Sequence, residues 1–196
     1  MERDGTSMEQ THRSGVQESK LAGRTVLNLG CGSKHLPDAL NVDLRNSAHP
    51  DIAHDLNSIP WPLPDNHFET VLLADSLEHL RDIVATMEEI HRVCRDGAVV
   101  KITTPHFSAA NSFTDPTHLH HLSYFSFEYF TGEVEHGFEL YTEKQFRRRH
   151  AQIVFYPTLI NKLIWRLANR YPQAYERRWA WLFPAWFLSF ELEVVK

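Results

Sequence analysis

The feature that most constrains the fold of this chain is a short apolar run that stops at a pair of glycines. Residues 25–29 (TVLNL) are followed directly by Gly30, Cys31 and Gly32. Such a run is typical of a buried parallel strand entering a glycine turn, where the absence of a Cβ lets the backbone approach a ligand closely. The sequence therefore predicts an α/β protein with a ligand at the end of its first strand.

Strand-like and helix-like patterns alternate after this turn. Apolar runs predict three more strands, at 39–44, 68–74 and 98–103. A helix is predicted between the last two, because apolar residues recur at helical spacing from Ile83, and Asp82 and Gly97 suit its two caps. Only residues 33–38 separate the first two strands, so the helix there should be short or irregular. The alternation predicts a doubly wound, mostly parallel, Rossmann-like sheet.

The pattern changes after the fourth predicted strand. An irregular insert at about 105–150 is rich in His, Phe, Ser and Thr, with one short helix expected at 126–130. An insert at the C-terminal end of a strand is where α/β proteins place a lid or a substrate-binding element. Beyond it, a strand, a helix and a closing strand are expected at 152–156, 159–168 and 190–196. We expect one domain over 23–196, preceded by a polar, disordered arm over 1–22.

Composition narrows the partners and the compartment. The formal net charge is −5 without a basic stripe, which argues against a nucleic-acid partner, because such affinity rests largely on phosphate neutralisation. Cys31 and Cys94 show neither metal-site nor disulfide spacing, and the first twenty residues lack the apolar core of a signal peptide. A reducing, cytoplasmic location is expected.

One apolar segment, residues 179–190 (WAWLFPAWFLSF), requires a separate interpretation. It is shorter than a membrane-spanning helix and is interrupted by Pro184. Burial against the sheet or a homodimer contact is the favoured interpretation. The alternative is a membrane-surface contact in which Arg177 and Arg178 meet lipid head groups.

The polar residues at the predicted strand ends suit a nucleoside-containing ligand. A dinucleotide site needs a third glycine at position 35, where His35 stands, so a nicotinamide cofactor is disfavoured. Asp43 can accept hydrogen bonds from ribose hydroxyls. Asp55 can accept from an adenine amino group, with Leu56 against the ring. Residues 75–80 (DSLEHL) follow the third predicted strand, and Glu78 and His79 there are interpreted mainly as partners of neighbouring loops.

Together these segments resemble the class I S-adenosylmethionine-dependent methyltransferases. The segments are VLNLGCGSK, LNVDL, HDLN, PDNHFETVLLADSLEHL and MEEIHRVCRDGAVVKITTP. The chain is most similar to a small bacterial and archaeal branch with a very short first helix, which also carries the stretches PHFS (here 105–108) and DPTH (here 115–118) and the ending FELEVVK. The resemblance covers residues 26–196.

The resemblance implies S-adenosylmethionine as cofactor and a set of residues that bind it. Gly30 and Gly32 would line its methionine end, Asp43 the ribose and Asp55 the adenine. Asn28 stands where many members have Asp or Glu. The full expected cofactor set is Asn28, Gly30, Cys31, Gly32, Asp43, Leu44, Asp55, Leu56, Asp75 and Ser76.

A cluster in the insert supplies the candidate catalytic residues, which are His106, Asp115, His118, His120 and His121. Three interpretations stay open. A neutral histidine can take the proton of an attacking hydroxyl, amine or thiol, and His118 is the preferred base. The cluster can instead bind a metal, which methyl transfer itself does not need, or hold its own loop by hydrogen bonds.

The leading functional hypothesis is methyl transfer from S-adenosylmethionine to a small-molecule or sugar-containing acceptor, through an O, N, S or C atom. One alternative is a catalytically inactive, cofactor-binding interaction protein. A nicotinamide-dependent oxidoreductase is the less favoured alternative, because of His35.

Overall fold

A computed structural model describes residues 21, 23–133 and 141–196 of the chain, except for the side chain of Ile160. The predicted arm, residues 1–22, lies outside the described residues apart from Leu21. Leu21 packs against the core, and its carbonyl accepts a hydrogen bond from the Arg24 amide at 3.0 Å.

The described residues form a seven-stranded sheet in the order β3-β2-β1-β4-β5-β7-β6. Strands β1 to β5 pair in parallel, and β7 runs antiparallel to both of its neighbours, β5 and β6. The prediction of a mostly parallel, Rossmann-like sheet is confirmed. The strands are β1 (Val26–Leu29), β2 (Ala39–Asp43), β3 (Ile52–Ala53), β4 (Phe68–Ala74), β5 (Cys94–Pro105), β6 (Gln145–Val154) and β7 (Phe187–Val195).

Five α-helices accompany the sheet within the described residues: α1 (Ile83–Val93), α2 (Asn111–Thr114), α3 (Glu128–Thr131), α4 (Leu159–Arg170) and α5 (Pro172–Arg178). Asp82 caps α1 as predicted, since its side chain accepts a hydrogen bond from the Ala85 amide at 2.9 Å. The prediction that Gly97 ends this helix is wrong. Cys94 already pairs with Phe68 of β4, so the sheet ladder begins where the helix stops, and Gly97 lies inside β5.

The connection between β1 and β2 has no helix, so the short or irregular helix predicted there is absent. The Lys34 amide donates to the Cys31 carbonyl and the Ala39 amide to the Leu36 carbonyl, so the chain crosses in turns. Strand β3 was not predicted from the sequence, because it is only two residues long.

The insert is shorter than predicted, because β6 begins at Gln145 and not near residue 152. This edge strand has exposed charged residues along much of its length, such as Arg147 and Arg149, which conceal the alternation expected of a half-buried strand. Charges on an edge strand also discourage pairing with another sheet.

The apolar segment 179–190 divides between two environments, so burial against the sheet accounts for only a part of it. Leu188 and Phe190 belong to β7 and are buried in the core. The part before Pro184 lies outside the sheet, and apart from the buried Ala180 its large side chains are exposed. Its exposed side chains are Trp179, Trp181, Leu182 and Phe183. In the described part of the chain, no helix is both long and apolar enough to cross a membrane.

Candidate functional site

The glycine turn after β1 is pressed against the end of β4. Gly30 has a φ of +66°, and a Cβ built there would lie 2.6 Å from the Ser76 Cβ. The amides of Gly30 and Cys31 donate to the Val42 carbonyl at 2.9 and 3.1 Å, which fixes the turn across the end of β2. Glycine is required at position 30 because any side chain would collide with Ser76.

Asp43 anchors this turn from the end of β2. Its Oδ2 accepts from the Gly32 amide at 2.8 Å, and its Oδ1 accepts from the Arg45 amide at 2.8 Å. Each carboxylate oxygen can accept a further hydrogen bond, so both remain competent toward ribose hydroxyls. A cavity of about 580 Å³ opens beside it, lined by Gly32, Ser33, His35, Arg45, Ser47, Ala48 and His49.

Leu44 and Leu56 behave differently at the predicted adenine end. Leu44 is 65% exposed directly after Asp43, where its side chain is free to cover a ring. Leu56 packs in the hydrophobic core, and its carbonyl accepts from the Trp61 indole at 3.0 Å. Its burial leaves little of the Leu56 side chain exposed, and its contact with the adenine stays a prediction. The nearby Asp55 accepts from the Asn57 backbone and side chain, which holds the pKa of its carboxyl below the usual value.

Asn28 and Cys31 support the turn from inside the protein. The Asn28 amide group donates to the Lys34 carbonyl at 3.0 Å and to the Asn41 Oδ1 at 2.9 Å. Cys31 is buried, and this burial, together with the Asp43 charge, raises the pKa of its thiol. Both residues position the turn and have little surface left for a ligand.

Asp75 and Ser76 join the ends of β1 and β4. The Ser76 hydroxyl donates to the Leu29 carbonyl at 3.2 Å. Asp75 is exposed, has a φ of +55°, and lies 3.4 Å from the Lys34 ammonium. A carboxylate held in this conformation at the edge of the glycine turn is available to a ligand.

Glu78 is the main functional candidate that the sequence analysis undervalued. It is 1% exposed, and burial, followed by the Asp75 charge, raises the pKa of its carboxyl. Its Oε2 accepts from the Thr104 hydroxyl at 3.2 Å, and its backbone carbonyl accepts from the amides of Leu119 and His120. Its Oε1 has no hydrogen-bond partner among the described residues. The sequence signal for Glu78 was its position two residues after Ser76, which follows the end of a predicted strand.

His118 faces this unpartnered oxygen. Its Nε2 lies 4.0 Å from the Glu78 Oε1, and its ring is nearly buried. Its Nδ1 donates to the Ser112 carbonyl at 3.1 Å, because a carbonyl can only accept. The neutral ring therefore carries its lone pair on Nε2, toward Glu78.

A short relay orients the neighbouring ring of His79. Asp115 Oδ1 accepts from the Thr117 amide at 2.8 Å and from the Thr117 hydroxyl at 2.7 Å, which also lowers the pKa of the Asp115 carboxyl. The His79 Nδ1 lies 2.9 Å from that hydroxyl and must donate to it, since the hydroxyl hydrogen is already used. The His79 and His118 rings meet edge to face, with centroids 4.7 Å apart.

The other predicted catalytic histidines do not join this group. His106 has no exposed surface. Its Nδ1 accepts from the Ser108 amide and its Nε2 donates to Glu176 at 3.1 Å, so both ring nitrogens are engaged and its catalytic role stays a prediction. His121 is exposed, contacts the Ser112 hydroxyl and stacks on Phe113.

The His120 side chain does not join those of Glu78, His79 and His118, although its amide donates to the Glu78 carbonyl at 3.3 Å. Its buried Nε2 has no hydrogen-bond partner among the described residues. The residue lines a separate cavity of about 350 Å³ beside α1.

The family of this chain is identified by its similarity to a known family model. A family model described as a methyltransferase domain matches residues 8–153, most of the chain. The chain belongs to the methyltransferase-domain family. A probable S-adenosylmethionine-dependent methyltransferase of Mycolicibacterium smegmatis is 33% identical to this methyltransferase-family chain over 103 residues, with 44% of this chain covered. The match spans only 40% of that relative's length.

Solved structures show the same fold at low identity. A S-adenosylmethionine-dependent methyltransferase from Archaeoglobus fulgidus has a TM-score of 0.55 at 15% identity, covering 97% of this chain and 95% of its own. A Haloferax volcanii complex of the Trm112 activator with a putative methyltransferase has a TM-score of 0.53 at 14% identity, covering 98% of this chain and 95% of the matched chain. The 4+2 cyclase SpnF has a TM-score of 0.54 at 18% identity, covering 99% of this chain and 85% of its own. Since one of these folds is named as a cyclase, the fold alone does not decide the reaction.

The family and the named relative support S-adenosylmethionine as the cofactor of this methyltransferase, and the residues present fit it. The Gly30 turn has no room for a side chain, and Asp43 offers two accepting oxygens beside a cavity. The cofactor carries no phosphate, so the missing helix after the turn is no obstacle.

Proposed function

We propose that this protein transfers a methyl group from S-adenosylmethionine to a small-molecule or sugar-containing acceptor. The observation that carries the proposal is the contact between the glycine turn and the segment leading to Glu78. Gly30 packs directly on Ser76, and Glu78 follows two residues later beside His118. A polar, nearly buried group therefore lies next to the place where the cofactor's methionine end would bind.

The proposed cofactor contacts follow the carboxyl ends of the first strands, where open α/β sheets bind ligands. Gly30 and Gly32 approach the methionine end, Asp43 accepts from the ribose hydroxyls, and Leu44 covers the adenine. Asp55, at the end of β3, can accept from the adenine amino group. This chain's contribution is to bind and orient the cofactor, because alignment of acceptor, methyl carbon and sulfur supplies much of the rate.

The acceptor end is proposed to lie at Glu78 and His118. The nucleophilic atom of the acceptor attacks the methyl carbon while the bond to sulfur breaks, and the acceptor's proton must leave. The His118 Nε2 lone pair faces the gap beside Glu78, on this side of the turn. Its orientation is fixed by the hydrogen bond from Nδ1 to Ser112.

Titration calorimetry combined with a product assay tests this function. We expect S-adenosylmethionine and S-adenosylhomocysteine to bind at micromolar concentrations, and NAD to show no heat. S-adenosylhomocysteine release should then appear with at least one compound in a panel of hydroxyl, amine and thiol acceptors. Failure to bind S-adenosylmethionine would refute the proposal. Binding without turnover across the panel would favour a catalytically inactive interaction protein.

We further propose that α4 and residues 179–183 form a contact surface for anionic lipid, which we call the apolar face. Residues 157–186 hold five Lys or Arg and one acid in a chain of net charge −5. The single acid, Glu176, is used internally by His106 and the Tyr124 amide. A basic surface with large exposed apolar groups matches an anionic membrane surface better than a second copy of an acidic chain. Its most exposed large side chains, together with Tyr171 directly after α4, are Leu159, Leu163, Leu167, Trp179, Trp181 and Leu182.

Vesicle sedimentation provides the test of the apolar face. The chain should pellet with vesicles of phosphatidylcholine containing about one third phosphatidylserine, and less so as salt screens the charges. Trp181→Ser with Leu182→Ser should lower binding by ~10-fold or more, since each large apolar side chain contributes ~1.5–3 kcal/mol on burial. Tyr141→Ser, which alters a side chain equally exposed beside α1, is the control. Equal pelleting with purely zwitterionic vesicles, or a dimer that the double variant abolishes, would contradict the lipid proposal.

A further inference from the structure

Three metal-ligating side chains converge at the acceptor end. One ligand atom from each of Glu78, His79 and His118 lies within 4.8 Å of the other two. The Glu78 Oε1 is buried and has no hydrogen-bond partner among the described residues, and it points toward the His118 ring. A buried carboxylate oxygen left without a donor is costly, so this oxygen favours a cation, a proton or a donated hydrogen in the gap.

The hydrogen bonds of the two rings fix which nitrogen of each ring keeps a lone pair. His118 gives its Nδ1 hydrogen to the Ser112 carbonyl, and His79 gives its Nδ1 hydrogen to the Thr117 hydroxyl. The neutral rings are left with lone pairs on Nε2. Two lone pairs and a carboxylate oxygen make a set of three acceptors, which is the arrangement that a metal ion satisfies.

We propose that Glu78, His79 and His118 bind a divalent transition-metal ion that holds a hydroxyl-bearing methyl acceptor. The metal site stands on this geometry alone, and its role with the acceptor rests on the proposed methyltransferase function. Two imidazoles and one carboxylate suit the Mn²⁺ to Zn²⁺ series better than Mg²⁺ or Ca²⁺, which prefer oxygen ligands. Three protein ligands leave positions open, as in catalytic metal sites.

The surroundings resemble those of an oriented metal site. Metal-bound histidines ordinarily donate a hydrogen bond from their second ring nitrogen. The acceptor is a carbonyl or, directly or through a partner, a carboxylate. The Ser112 carbonyl serves His118 in this way, and the Thr117 hydroxyl, itself bonded to Asp115, serves His79. Bonds of about 2.0–2.2 Å require neighbouring ligand atoms about 3.0–3.5 Å apart. The 4.0 Å gap between Glu78 and His118 therefore has to close by about 0.5–1 Å, and the set as a whole, whose atoms lie within 4.8 Å, has to contract around the ion.

The chemistry of the step balances without a redox partner. When the ion occupies the His118 Nε2 lone pair, that nitrogen no longer takes the acceptor's proton. A hydroxyl bound to the ion is more acidic than in water, so it releases its proton to solvent instead. An oxygen lone pair then forms the bond to the methyl carbon. The carbon–sulfur bond breaks with its electron pair going to sulfur, and neutral S-adenosylhomocysteine leaves. The proposal thus selects oxygen among the acceptor atoms left open by the sequence.

Manganese binding to the full, chelator-treated chain is the direct test. We expect one Mn²⁺ per chain, measured as loss of the free-ion signal in electron paramagnetic resonance, with Zn²⁺ competing for the same site. His79→Ala and His118→Ala should each weaken Mn²⁺ binding by at least ~10-fold, while His121→Ala, in the same segment, should not. Glu78 is fully buried, so the two histidine variants carry the test, with melting temperature confirming that each is folded.

The outcomes separate this inference from the proposed function. No saturable Mn²⁺ binding, or Mn²⁺ binding that survives both histidine variants, would overturn the metal site. Calorimetry with S-adenosylmethionine on the same samples reports the cofactor site independently, so cofactor binding without Mn²⁺ binding removes only the metal. In the acceptor panel, turnover with hydroxyl compounds should fall in chelator and return with Mn²⁺. Chelator-insensitive turnover would overturn the role of the ion.

Discussion

Replacing His118 by alanine should lower turnover by ~10²–10⁴-fold while leaving S-adenosylmethionine affinity nearly unchanged. The reason is geometric. The substitution removes the Nε2 lone pair that faces Glu78 but leaves the glycine turn and Asp43 untouched. The measurement is S-adenosylhomocysteine release with an accepted substrate, together with cofactor titration by calorimetry.

The control for this variant is His150→Ala, an exposed histidine on the edge strand β6. It removes the same side chain far from the acceptor end and should keep full turnover. If His118→Ala lowers the melting temperature and the cofactor affinity together, the residue is structural, through its bond to Ser112. Unchanged turnover would remove His118 from the mechanism.

Asp43→Ala should weaken S-adenosylmethionine binding by ten-fold or more. Losing a charged acceptor of ligand hydrogen bonds typically costs ~1.5–3 kcal/mol. The structure adds a second reason, since the same carboxylate holds the Gly32 and Arg45 amides and thereby shapes the turn. Calorimetry well below the melting temperature of the variant measures the affinity.

Asp38→Ala is the matched control for this loss of charge. Asp38 is exposed and directly precedes β2, at the opposite end of the strand from Asp43. Its removal should leave cofactor affinity within about two-fold, since long-range interactions between exposed charges are screened. An Asp43→Ala variant that binds the cofactor like the parent would show that the ribose assignment is mistaken.

Much of the fold was predictable because its signals are local. The apolar run before Gly30 specified β1, and the Asp82 cap with its helical spacing specified α1. The prediction failed where a pattern was ambiguous at short range. The exposed charges of β6 hid its alternation, and Gly97 resembles a helix cap although it lies in a strand.

By itself, the sequence determined the sheet class, the glycine turn and the strand-end carboxylate, because hydrophobic period, glycine and strand ends are features of neighbouring residues. Only the tertiary structure decided which polar residues share a site. His79 meets Thr117 across 38 positions, and His106 is buried on Glu176 across 70. Such contacts depend on how the insert folds over the sheet. Burial and lone-pair direction, which distinguish His118 from His106, are properties of that packing and leave no mark on residue type or spacing.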